Sequence, residues 1–362
     1  MLSKTKIYID KESLEIIAQD STISDYYYKN IIEIFRRHAD LYLDLTEAEL
    51  TDIQEPKDLN NPSDIYSFIE GKNLPWPSAA NETFNAIHTN GMNPDINGNI
   101  IYILKSKNDV AKLRDCYGVW AVCIEDVNDD VFYYEFNPDL NVDTVPGIKD
   151  NGWNNILRDE IKSLPPSNSM VISDSNLLTN NIKRKGTDEN HFCGLVNLTD
   201  LLDLILPQKM SVPYYISIIC PPTNKLEEGK MKKIITRWID EIKMKRKYTI
   251  IIEFLLSRKT LHSRDLYANN YRIHFDRGFY VFEPWTNRVH KDDVSHNDVR
   301  VYSYLCSPFQ RGKDNIMNAI DELKLLLSKY NAFLRNTGEV TLVNSKIQPV
   351  TASDYSKNRI LF

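Results

Sequence analysis

The sequence predicts a two-domain α/β protein, and three observations predict it. The chain has 362 residues, more than the ~150 typical of one domain. Short continuous apolar runs such as "IIYIL" (100–104) and "IIIEFLL" (250–256) alternate with amphipathic stretches. That is the pattern of strands buried in a parallel sheet beneath covering helices. Between two such patterned halves lies "IKSLPPSNS" (161–169), where paired prolines and several serines mark a linker. The domains are therefore expected over 1–163 and 168–362.

In the first half, "KIYID" reads as a short strand ending at Asp10. "SDYYYKNIIEIFRRHA" follows with Tyr28, Ile31, Ile32 and Phe35 at helical spacing, and Ser24 or Asp25 suits its N-cap. "DLYLDL" alternates and reads as a strand. "TEAELTDI" starts a helix, with Thr46 and Glu49 forming a capping box. Residues 54–98 are rich in Asn, Pro and Ser and predict a loop-rich insertion with one short helix near Ile65–Ile69. Order returns with a strand at Ile100–Leu104, a helix over about Asn108–Cys116, a turn at Gly118 and a strand at Val119–Ile124. "VFYYEF" adds an edge strand.

The second half restarts the pattern. "SMVISDSN" is a strand, and "NLTDLLDLIL" is a helix capped by Asn197 or Thr199. "PYYISIICPP" is a strand closed by prolines. The helix "LEEGKMKKIITRWIDEIKMKRK" carries Ile234, Ile235, Trp238, Ile239 and Ile242 as its apolar stripe. "YTIIIEFLL" and "VRVYSYLC" are strands, and "KDNIMNAIDELKLLLSKYNAFL" closes the chain's helical pattern. The basic face from Lys230 to Lys247 reads as the solvated side of its helix, with contact to an anionic backbone as the alternative.

Composition excludes several classes. A net charge of -6 argues against coating nucleic acid through bulk charge, though it leaves room for a local basic site. No apolar run approaches the ~18 residues of a membrane helix, and "MLSKTKIYIDKES" lacks the features of a signal peptide. A cytoplasmic protein is expected. Cys116, Cys123, Cys193, Cys220 and Cys306 have no CxxC spacing and sit mostly in apolar contexts, as buried reduced thiols do. The seven histidines show no zinc-ligand spacing. Nucleotide-binding and esterase glycine motifs are absent.

The stretch "LHSRDLYANNYRIHFDRGFYVF" (261–282) carries the densest chemistry. His262, Arg264 and Asn269 stand at i, i+2 and i+7. On an extended strand i and i+2 face the same side, so an imidazole and a cation would point at one phosphate. The spacing resembles the His-x-Lys-x4-Asp signature of the phospholipase D superfamily. The chain from about Met170 to Leu334 resembles the phospholipase D-like domain found after MIT domains, which is generally a binder. The resemblance implies a mixed-sheet fold with His262 in the role of nucleophile or acid. It also implies phosphate contacts from His262, Arg264, Asn269 and Arg277. Arg264 in place of lysine keeps the charge and can grip phosphate in a bidentate way. Asn269 in place of aspartate loses a carboxylate, and "HFDRG" stands where a glycine-serine pair is wanted. With one copy of the motif, a catalytic histidine pair would need a homodimer. Phosphodiesterase chemistry, a phosphate- or partner-binding site, and a plain hairpin with Arg264–Asp265 and Asp276–Arg277 ion pairs all stand; the substitutions lean towards binding.

The second candidate site is a set of acids at predicted strand ends. Asp10 follows "KIYI", Ser106, Asn108 and Asp109 follow "YILK", and Glu125 and Asp126 follow "WAVCI", with Asp44 or Glu47 as a further ligand. Carboxylates there converge on divalent cations in metal-dependent nucleases. Over Lys6–Glu49 and Asn99–Asp126 the chain resembles a Rossmann-type PIN-like nuclease. That resemblance implies Mg²⁺ or Mn²⁺ held by Asp10, Asp109 and Asp126 as the catalytic acids. Asn108 departs from it, and Asp109 also suits a helix N-terminus. Pairings of such modules resemble those of prokaryotic defence loci. The implied function is a nucleic-acid-associated effector or complex subunit of an antiviral defence system. The alternative is a non-catalytic adaptor that binds a partner protein.

Overall fold

A computed structural model of the chain describes residues 5–20, 39–54, 64–70, 74, 77–89, 93–98, 100–127, 134–137, 152–157, 159–256, 264–285, 299–303, 341–344, 346–349 and 358–361. They form two compact α/β units. One takes the described residues before Tyr134 and the other takes those from Tyr134 onward. No helix among the described residues is long and apolar enough to cross a membrane.

The first unit is built on a parallel sheet of four strands in the order β2-β1-β3-β4. These are β1 (Thr5–Ile9), β2 (Ala39–Leu43), β3 (Ile100–Leu104) and β4 (Trp120–Cys123). The helices are α1 (Lys11–Asp20), α2 (Glu47–Gln54), α3 (Asp64–Ile69), α4 (Pro77–His88) and α5 (Lys107–Tyr117). Each end has a local cause. Thr46 and Glu49 make the reciprocal capping box: the Glu49 carboxylate accepts the Thr46 N–H at 2.8 Å, and Thr46 Oγ1 accepts the Glu49 N–H at 3.2 Å. Ser106 caps α5, and Gly118 ends it in the left-handed region (φ 63), its N–H reaching Arg114 O at 3.2 Å.

The insertion is more ordered than its composition suggests. Besides α3 it holds α4, whose Ala80, Phe84 and Ile87 are buried at i, i+4 and i+7. Pro77 at the first helical position needs no N–H partner. Further on, Asp95 accepts hydrogen bonds from Lys6 Nζ (2.6 Å) and Tyr8 Oη (3.0 Å), and its backbone oxygen accepts one from Tyr102 Oη (2.8 Å). Tyr8 itself stacks between Tyr42 and Tyr102, its neighbours in the strand register. The segment is thus pinned to a tyrosine-faced sheet. The helix read over 24–39 lies outside the described residues but for Ala39, which begins β2.

The second unit contains β5 (Glu135–Phe136), α6 (Trp153–Leu157), β6 (Ser169–Ser173), β7 (Asn181–Lys183), β8 (Asn190–Phe192) and α7 (Cys193–Ile205). It continues with β9 (Tyr214–Cys220), α8 (Glu228–Met244), β10 (Ile250–Leu256), β11 (Asp265–Ala268) and β12 (Tyr271–Phe275). Last come β13 (Val299–Ser303), β14 (Thr341–Asn344) and β15 (Lys346–Pro349). Among the described residues the main sheet has nine strands in the order β15-β14-β10-β9-β6-β11-β12-β13-β5. Its centre, β10-β9-β6, is parallel and both flanks are antiparallel. Of "VFYYEF", Glu135 and Phe136 form the edge of this second sheet, where they pair with β13. The β7–β8 and β14–β15 hairpins have no counterpart in the sequence reading, and the closing helix lies outside the described residues.

One face of this sheet is apolar. Met170, Ile172, Ile216, Ile218, Ile252, Phe254 and Leu266 join a core with α7 and α8. All five residues of the α8 stripe are buried in it. At about 1.5–3 kcal/mol for each fully buried large apolar side chain, the stripe far outweighs the exposed Lys230–Glu227 and Lys232–Glu228 pairs on the charged face. Asn197 and Thr199 are buried inside α7, not at its cap, because the helix starts four residues earlier at Cys193. Asn197 Nδ2 donates to Phe282 O (2.8 Å) and its Oδ1 accepts the Phe282 N–H (2.7 Å). Thr199 Oγ1 accepts from Trp238 Nε1 at 2.8 Å. Residue types that suit caps serve here as tertiary clamps. The four cysteines among the described residues are free, with Cys123, Cys193 and Cys220 buried and Cys116 partly so.

Candidate functional site

In the first unit the strand-end acids are occupied with structural work. Asp10 is buried at the end of β1; Oδ1 accepts the Ser13 N–H (2.8 Å) and Oδ2 the Lys105 N–H (2.7 Å). It caps α1 and ties down the turn after β3. Asp109 sits in the first turn of α5, its N–H given to Ser106 Oγ at 3.3 Å. Glu125 pairs with Lys105 (2.5 Å), and Asp126 with Lys107 (3.4 Å). Those lysines hold the Glu125 carboxyl below the usual range, the Lys105 hydrogen bond first. Among the described residues no group of three or more His, Cys, Asp or Glu side chains is placed to hold a metal ion. Asp10, Asp109 and Asp126 are thus not gathered into one such group.

In the second unit His262 lies outside the described residues. Arg264 precedes β11 and Asn269 follows it, so the two stand at opposite ends of the strand. At ~3.3 Å per residue they are on the order of 15 Å apart. Asn269 is buried, and its Oδ1 accepts the backbone N–H groups of Asn168 (3.0 Å) and Ser169 (2.8 Å). It pins the entry to β6 and does not share a phosphate with Arg264. Asn269→Ala is expected to destabilise the protein by about 2 kcal/mol, because two buried amides lose their acceptor. Urea unfolding measures this, and the folded variant should bind ligands at the Arg264 end as the parent does.

That end holds a constellation built by strand register. Asp265 faces His274 across the β11–β12 pair and Tyr267 faces Arg272, which puts all four side chains on one side of the sheet. Asp265 is fully buried. Its carboxylate accepts from Arg272 Nε (2.8 Å) and Tyr267 Oη (3.0 Å), and meets His274 Nδ1 at 2.7 Å. Burial works to raise the Asp265 carboxyl, but the His274 hydrogen bond and the Arg272 charge outweigh it, so the carboxyl titrates below its usual range. His274 is pushed the other way, chiefly by the same hydrogen bond, so its imidazole keeps a proton to higher pH. Its side chain is 32% exposed, with Nε2 3.2 Å from Asp276 Oδ1.

Beside this dyad, at the end of β6, lies Asp174. Oδ1 accepts the Asn176 N–H (2.7 Å) and Oδ2 the Phe279 N–H (2.9 Å). Burial raises its carboxyl to about 6 against those hydrogen bonds and the charge of Arg264. Arg264 donates to the backbone oxygen of Asp276. Exposed Arg277 stands next to Gly278, and its own backbone oxygen accepts from Asn176 Nδ2 at 3.4 Å. The edge therefore presents an oriented, readily protonated imidazole whose Nε2 meets Asp276, with Arg264 bound to the Asp276 backbone and Arg277 next along the chain. A buried carboxylate behind an imidazole fixes the ring and favours its charged form.

Sequence reasoning named Arg264 and Arg277 here and gave Asp265 only as a partner of Arg264, whereas its carboxylate meets Arg272 and His274; it missed Asp174, Arg272 and His274. A signal was present: "YRIHF" alternates, so the i, i+2 rule applied to His262 and Arg264 holds equally for Arg272 and His274. Comparison with family models finds no match for the chain, and comparison with curated proteins finds none either.

Proposed function

We propose that the second unit binds phosphate groups of nucleic acid at the edge formed by Arg264, His274 and Arg277. The protein then acts as a nucleic-acid-associated effector or complex subunit of the kind found in prokaryotic defence loci. One observation carries this reading: partly exposed His274 is oriented by buried Asp265 at the strand end where Arg264 holds the Asp276 backbone oxygen and exposed Arg277 follows. Imidazolium and guanidinium groups bind phosphate oxygens through charge-assisted hydrogen bonds. The phospholipase D-like resemblance of this half supports the same chemistry, and the departures in its motif support binding over cleavage. In the first unit, a PIN-like ancestry is compatible with the parallel sheet and its strand-end acids.

Labelled RNA and single- and double-stranded DNA, incubated with the full chain and Mg²⁺, Mn²⁺ or EDTA, test the proposal. Binding without cutting is expected. His274→Ala combined with Arg277→Ala should weaken it at least tenfold. Affinity should also fall as pH rises through the raised value of His274, because the imidazole then loses its charge. Metal-dependent cutting that disappears in Asp10→Ala would move the function to the first unit.

A second reading, a non-catalytic adaptor for a partner protein or a homodimer, is favoured by the engagement of Asp10 with backbone amides and of Glu125 and Asp126 with lysines. Absence of nucleic-acid binding at low salt would leave that reading in place.

A further inference from the structure

A cavity of about 300 Å³ opens between α7, α8 and the β7–β8 hairpin, and it shares no lining residue with the Asp265 cluster. Its size sits at the lower bound of ligand sites, enough for one side-chain-sized group. Trp285 forms part of its wall. That ring is 43% exposed, stands edge-on to His191 at 5.4 Å, and belongs to a residue with φ 62. A bulky residue in the left-handed region costs on the order of 1–3 kcal/mol, and such strain concentrates at ligand sites. The His191 Nε2 is buried, without a hydrogen-bond partner among the described residues but 3.7 Å from Glu189 Oε2. Burial, and then the nearby Arg237, push its imidazole down, against the charges of Glu189 and Glu241.

The charges around the cavity are unevenly engaged. Arg237 donates to Asn190 O (2.6 Å) and pairs with Glu189 (3.3 Å); Lys245 pairs with Asp203 (3.4 Å). Asp200 and Glu241 also line the cavity, and neither side chain has a hydrogen bond or ion pair among the described residues. Loss of solvent raises the Asp200 carboxyl; Lys245 opposes that rise, and Asp203 and Glu241 add to it. Arg184 on the hairpin is the one opposing charge left without an ion pair among the described lining residues. An aromatic face and two carboxylates that repel each other call for a cation bearing N–H donors.

We propose that this cavity binds a guanidinium or alkylammonium group against Trp285, with its donors shared between Asp200 and Glu241. The proposal is independent of phosphate binding at Arg264 and His274, and either can fail alone. Isothermal titration of the full chain with agmatine, an acetyl-Gly-Arg-Gly-amide peptide, its uncharged citrulline counterpart and inorganic phosphate tests it. Saturable binding of a cationic probe is expected, with no binding of the citrulline peptide. Trp285→Ala and the isosteric pair Asp200→Asn with Glu241→Gln should each weaken it at least tenfold. Both act at accessible positions, and circular dichroism checks that they fold; if Trp285→Ala does not, the isosteric pair carries the test. Agmatine as tight as the peptide identifies a free small cation as the ligand, and a peptide at least tenfold tighter identifies an arginine of a partner protein. Equal binding of the citrulline peptide, phosphate binding in this cavity, or no heat from either cation at millimolar concentration overturns the proposal.

Discussion

Asp265→Ala is expected to lower the stability of the protein by about 3–5 kcal/mol, the range seen when one member of a buried ion pair is removed. The carboxylate has no exposure, and Arg272, with only 15% of its side chain exposed, would keep its charge without the anion. Tyr267 and His274 would lose their acceptor at the same time. Urea unfolding of the full chain measures the loss, and NMR titration of His274 should show its value falling back towards that of ordinary histidine. The pH dependence has a definite sign. The folded value of His274 lies above its unfolded one, so its contribution is complete below the ordinary histidine range and is lost as pH rises through the raised value. Asp265 has the opposite shift; its contribution is present above the ordinary carboxylate range and is lost as pH falls through the depressed value. The pair is therefore most stabilising between those limits, and Asp265→Ala should flatten that window. A loss below 1 kcal/mol, or an unmoved His274, would show that the network does not hold the site.

Gly278→Ala is the second large effect. Gly278 has φ +102, and a Cβ there would stand 2.8 Å from Asp174 Oδ2 and 3.0 Å from Oδ1. The carboxylate cannot withdraw without giving up the amides of Asn176 and Phe279. Backbone strain and overpacking together should remove about 2–4 kcal/mol. Gly186 is the internal control, with φ +82 and nothing within 4 Å of its added Cβ. Gly186→Ala should then lose only the backbone term, about 1–2 kcal/mol. Equal losses in the two variants would mean that the close approach to Asp174 is unimportant.

These sites differ in how far the sequence exposes them. The α8 stripe, the β10 run and the Thr46–Glu49 box are visible because each is written within one element, as a period or a fixed offset. Helix α4 was hidden because its Pro, Ser and Asn content masks Ala80, Phe84 and Ile87. Asn197 and Thr199 misled for a related reason: their side chains suit a cap, but burial against Phe282 and Trp238 offered better partners. Likewise Asp10, a strand-end acid of the expected kind, turned out to be held by the amides of Ser13 and Lys105.

Local pattern was enough to predict two α/β units, most of their strands and the stretch in which the densest chemistry lies. Which residues of that stretch meet was beyond it. The i, i+7 spacing of His262 and Asn269 suggested one site, yet β11 carries Arg264 and Asn269 to opposite ends. Asp265 reaches His274 because an antiparallel register sets them face to face, and Asp174 joins them because β6 pairs with β11 at the same end. A chain carries its own periodicity, but the partner of a buried charge depends on the alignment of strands distant in sequence. Only the assembled sheet specifies that alignment.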